Sequence, residues 1–168
     1  PGPSSRSRSA ALTEWLTLPL ILKVCGIFLF QAANLGLGAF MIGIAADLGQ
    51  SRAFAGLVVG LGLTAGIPGS LLMILLSRKL GWRPVAPALL IAGVAKTLVL
   101  VGTTPAAFAL SVSSIYFTMA VALPYVLAAC ATDDKGGRGT VLGGLASKLG
   151  LACGPVAAGF LYAQGLSH

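Results

Sequence analysis

Apolar residues in this chain fall into five long runs, at about 16–46, 53–76, 85–102, 106–132 and 139–164, parted by short polar breaks. Each run approaches or exceeds the roughly 20 residues that a helix needs to cross a hydrocarbon core. The pattern predicts an all-α membrane protein with about five transmembrane helices, segments a to e, forming one bundle over 16–168. Segment a is longer than one perpendicular span, so it should tilt. Residues 1–15 are a polar Pro/Ser/Arg tail without periodicity, expected to be disordered. The tail carries Arg6 and Arg8 but no short apolar region with a cleavage site, so no signal peptide is expected.

Glycine spacing adds a second layer. In segment e, steps of 100° per residue place Gly143, Gly150, Gly154 and Ala157 opposite Lys148. Gly144, Lys148, Pro155, Gly159 and Tyr162 form a second stripe, and both faces should be enclosed by protein. A small face permits close backbone approach in a membrane, with Gly150-x-x-x-Gly154 as its tightest element. In a soluble core each such glycine would cost about 1 kcal/mol against Ala. Segment b carries Gly56, Gly60, Gly62, Gly66 and Gly69, and Pro68 should bend it.

Composition agrees with this reading. Charged residues make up 9% of the chain and apolar ones 57%, where soluble domains average roughly a quarter charged; a soluble fold would expose large apolar patches. Net charge is +7, but the basic residues are scattered near segment ends, which suits topology signals and lipid headgroups rather than nucleic acid. Arg6, Arg8, Arg78, Lys79, Arg83, Lys135 and Arg138 lie in the tail and the b–c and d–e loops, against Arg52 alone on the other side. The positive-inside rule therefore predicts a cytoplasmic N-terminus in a plasma or inner membrane, with His168 on the far side. Cys25, Cys130 and Cys153 sit inside apolar runs and read as small packing residues.

Candidate chemistry is confined to a few polar positions. Glu14, Asp47, Asp133 and Asp134 all lie at ends or in loops, so no span carries a carboxylate for a proton relay. Lys148 lies roughly 15 Å into segment e. A lysine at such a depth costs about 2.5–3.5 kcal/mol on insertion scales; it is either a ligand contact or a side chain reaching headgroups, carbonyls or water. Lys96 in segment c is expected to snorkel. Gln31 and Asn34 share a face of segment a and can bond a solute or another helix. Ser111, Ser114, Thr118 and Tyr125 follow one stripe of segment d beside Pro124, although such hydroxyls can also bond their own helix. No His/Asp/Glu/Cys cluster, nucleophilic arrangement or phosphate loop points to an enzyme, a metal or a cofactor.

Two motifs carry a family resemblance. Gly150-Leu-Ala-Cys-Gly154-Pro155-Val-Ala-Ala-Gly159 resembles the G-x-x-x-G-P-x-x-G-G helix of the major facilitator superfamily, with Ala158 replacing one glycine. Arg78-Lys79-Leu-Gly81-Trp-Arg83 is similar to that family's D-R-x-G-R-R loop, with Arg78 at the acidic position and no glycine at Ile74. The likeness implies a secondary transporter half: helices seven to eleven of twelve, or alternatively helices one to five, for which segment d lacks the expected Arg-bearing motif. It also implies alternating access and a solute path against a second half or another copy. Gln31, Asn34, Ser114, Thr118, Tyr125 and Lys148 would contact the solute. Gly150, Gly154, Pro155 and Gly159 would serve packing, and Arg78, Lys79, Gly81 and Arg83 topology and gating. Two deep lysines lean toward an anionic solute. The other function class is a non-transporting membrane module that assembles through its glycine faces.

Overall fold

The computed structural model of the chain describes residues 17–132 and 137–164, all helix and short connections. The expected disordered tail, Lys135 with its acidic neighbours Asp133 and Asp134, and His168 lie outside the described residues. The helices are α1 (Leu18–Asp47), α2 (Arg52–Thr64), α3 (Gly66–Leu80), α4 (Val85–Val101), α5 (Pro105–Ala131) and α6 (Arg138–Ala163). Taken as one piece, α2 and α3 form a span of 29 residues; with α1, α5 and α6, this makes four helices long and apolar enough to cross a membrane. The fifth, α4, has 17 residues, at the lower limit for a perpendicular crossing.

Local chemistry explains the boundaries. Ser51 and Thr104 cap α2 and α5, their side chains accepting from the N–H groups of Phe54 and Ala107. Pro68 lacks the N–H that would bond the carbonyl of Thr64, and the α2–α3 helix breaks one turn earlier, at Ala65, whose N–H bonds Gly62 instead. Gly81 turns the chain after α3 at φ +55°, a backbone region that favours glycine.

The bundle is organised around α5, which touches every other helix, and around a parallel pair, α1 and α6. One core cluster joins Met41, Ala55, Val99, Phe108 and Val112 near the α1–α2 and α4–α5 turns, where Gln50 Nε2 donates to the Thr103 carbonyl at 2.6 Å. At the same end Tyr162 donates to the Asp47 carboxylate and stacks on Phe40. A second cluster, of Ile27, Cys130 and Ala146, lies toward the opposite end. Outward-facing side chains remain apolar, with Leu90, Leu110, Val141 and Val156 each at least 70% exposed. Surface of that kind is solvated by lipid rather than water.

Candidate functional site

Glycines set how closely the helices carrying the candidate residues approach. A Cβ added at Gly36 of α1 would lie 2.9 Å from the Gly154 carbonyl oxygen, and one at Gly150 or Gly154 would run into the backbone of Phe28 or Ala32. The two helices thus meet backbone to backbone, which no larger residue permits. Gly143, Gly150 and Gly154 are buried as the small face predicts, whereas Ala157 is exposed. Gly159 lies against the Phe40 ring, and α6 passes through Pro155 without ending.

That contact brings Gln31 onto Ser147. Gln31 is 3% exposed and Ser147 7%, and Gln31 Nε2 donates to Ser147 Oγ at 3.1 Å. Ser147 falls four residues after Gly143 and three before Gly150, so its place on the small face was visible in the spacing, although it was not among the expected site residues. Gln31 lies 13 residues into α1, and Thr118 is 13 from either end of α5, roughly 20 Å along each axis. Both are therefore mid-span.

Three buried polar atoms have no hydrogen-bond partner among the described residues: Gln31 Oε1, Asn34 Nδ2 and the Tyr125 hydroxyl. Whichever way the Gln31 amide is turned, Ser147 satisfies one end only. Leaving such groups unbonded costs about 1–3 kcal/mol each, so buried polar atoms ordinarily find partners. Asn34 follows Phe30 by one helical turn, and Phe30 packs against the cluster of Ala88, Val121, Ala122 and Tyr125. Phe30 thereby links the amides of α1 to the Tyr125 region.

Lys96 has an aromatic neighbour on α1. Its Nζ lies 5.3 Å from the Phe30 ring centroid, and the residue is half-buried. The reason is packing: α4 sets Ala88, Ala92, Ala95 and Val99 into the bundle, and Lys96, adjacent to Ala95, is carried inward with them. A cation over an aromatic face is worth about 0.5–2 kcal/mol, more as water is excluded. Neither Phe30 nor this pairing had any local signature in the sequence.

The remaining candidates are more dispersed. Thr118 is buried, but its hydroxyl donates to its own helix, with the carbonyls of Ser114 and Ile115 at 2.7 and 3.2 Å. Ser114 is half-buried, while Ser111 is buried. Tyr125, 5% exposed, sets its ring 5.8 Å from that of Trp82 in the α3–α4 turn. Lys148 is exposed and does not join Gln31 and Ser147, while Gly144, Pro155, Gly159 and Tyr162 of its stripe are half-buried. Arg78, Lys79 and Arg83 are exposed around Gly81 at the α3–α4 turn. Among the described residues no three His, Cys, Asp or Glu side chains gather as metal ligands. Comparison with family models, with curated proteins and with solved structures found no match to this chain.

Proposed function

We propose that this chain is part of a secondary active carrier of the major-facilitator type, moving a small solute by alternating access through a path lined by α1, α5 and α6. The observation that carries the reading is the set of buried polar atoms without partners among the described residues: Gln31 Oε1 and Asn34 Nδ2 near the middle of α1, and the Tyr125 hydroxyl nearer the α3–α4 turn. Atoms of this kind are tolerated inside a membrane where water or a solute completes their bonding. The two glycine-containing motifs support the family, and the exposed side of α6 at Lys148 and Leu149 offers a face for a second half or another copy. Lys96 and Lys148 favour an anionic solute. In this reading α4 is a fifth, short crossing, and the α3–α4 turn with its three basic residues faces the cytoplasm.

Cysteine accessibility tests the path without knowledge of the solute. In a background with Cys25, Cys130 and Cys153 replaced by Ala, Asn34→Cys and Tyr125→Cys in membrane vesicles should react with a charged, membrane-impermeant thiol reagent. Leu90→Cys, on the lipid-facing surface, should not. Labelling of positions 34 and 125 no faster than position 90 would remove the aqueous path and the carrier with it.

One observation favours the assembly-module reading: a Cβ at Gly56 or Gly60 would meet nothing within 4 Å, so this G-x-x-x-G face of α2 is open. That reading predicts no labelling at 34 or 125, and cross-linking of Gly60→Cys to an unrelated subunit.

A further inference from the structure

Consecutive helices joined by a tight turn normally pack on one another. Among the described residues the backbones of α3 and α4 do not approach one another, with no Cα pair of the two within 8 Å, although both lie on α5. Gly69 draws α3 onto the backbone of Phe117, and the alanine face of α4 packs elsewhere on α5. Between the two splayed helices runs a groove of about 290 Å³, floored by α5.

Its walls are almost wholly apolar, chiefly Leu72 and Leu76 of α3, Pro87 and Ile91 of α4, and Phe117 and Val121 of α5. Thr118 also borders it, with its hydroxyl proton already given to its own helix. One end differs. Arg83 lines the groove where it reaches the α3–α4 turn, and Arg78 and Lys79 stand in the last turn of α3, outside the lining. The structure shows no ion pair for these three cations among the described residues. Trp82, half exposed in the same turn, supplies the amphipathic ring typical of a membrane–water boundary. From Leu80 to Leu72 the groove follows α3 for roughly 12 Å from the turn toward the middle of the bundle.

We propose that this groove binds an anionic glycerophospholipid, one acyl chain lying between α3 and α4 and the phosphate held by Arg83, with Arg78 and Lys79 adding to the positive field of the turn. An apolar slot that opens sideways and ends at Arg83, in a turn that carries two further cations, matches the two chemistries of one molecule, and basic pockets between transmembrane helices are headgroup sites. A free anionic solute would use the cations but leave the slot unfilled; a neutral lipid would fill the slot but leave the cations uncompensated. The proposal rests on the membrane reading and is independent of whether the protein transports.

Native mass spectrometry of the full chain in detergent, titrated with phosphatidylglycerol or with phosphatidylcholine of the same acyl chains, provides the test. Phosphatidylglycerol should bind tighter, and Arg83→Ala should weaken it about fivefold, the share of one juxtamembrane cation. Removing all three cations should abolish the preference between the lipids, with Arg83→Lys retaining most of it. Ile91→Trp, which fills the groove from its lipid-facing rim, should weaken both lipids, and added inorganic phosphate should not displace them. Helical circular dichroism of each variant confirms that it is folded. Equal affinity for the two lipids, a preference untouched by loss of the three cations, or displacement by phosphate alone would overturn the proposal.

Discussion

At the scale of single residues, small changes in side-chain volume have very different consequences along one helix. Gly154 and Gly144 are both glycines of α6, yet a Cβ at the first would press on Ala32 and at the second would meet nothing within 4 Å. Gly154→Leu should therefore separate α1 from α6 and lower stability by about 1–3 kcal/mol or more, read as thermal unfolding in detergent. In a complete carrier it should also abolish uptake. Gly144→Ala should leave stability unchanged or raise it by up to about 1 kcal/mol, because the helix gains propensity without a clash. Equal effects of the two substitutions would show that the glycine face is not the contact. Residue-scale legibility followed the same division. The spacing of Gly143, Gly150 and Gly154 revealed a face made for close packing, since helical periodicity is local. What lay opposite was not legible: nothing near Lys96 announces the Phe30 ring, which is contributed from 66 positions away on α1.

At the scale of elements, termination and interruption follow short-range chemistry, and the five apolar runs correspond closely to the helices. Capping is one such signal. Thr104→Ala removes the acceptor for the Ala107 N–H at the start of α5 and should cost about 1 kcal/mol, with Thr104→Ser recovering most of it. Unfolding midpoints of the two variants check this, and identical midpoints would mean that the hydroxyl contributes nothing there. Because α5 touches all the other helices, fraying of its first turn should also loosen the Phe108 cluster. The break at Ala65 was foreshadowed by Pro68, but its placement one turn earlier reflects the carbonyl that proline leaves unbonded rather than the proline itself. The splaying of α3 and α4 could not be read in advance. It depends on where each meets α5, through Gly69 in one case and an alanine face in the other, and turn composition does not encode that.

For the whole molecule, the two ends of the bundle are chemically distinct. The α3–α4 turn concentrates Arg78, Lys79 and Arg83, whereas the opposite end is tied by Gln50 to Thr103 and by Tyr162 to Asp47. The positive-inside rule turns this asymmetry into an orientation. In intact cells, an impermeant thiol reagent should label Gly49→Cys and Thr103→Cys, while Gly81→Cys should react only after the membrane is opened. The reverse pattern would invert the orientation and place the basic turn outside. Apolar length was enough to read the helices from the sequence, since it responds to the solvent. Pairing of α1 with α6 required the structure, because any of several glycine-bearing faces could have been the partner.

Gln31 and Ser147 are separated by 116 positions in the chain. During synthesis at about 5–20 residues per second, Gln31 of α1 would be made roughly 6–23 seconds before Ser147 of α6. Throughout that interval its amide and its bare glycine surface have no permanent neighbour. Misassembly of α1 with a wrong neighbour is consequently the hazard of that interval, and the arrival of α6 is what ends it.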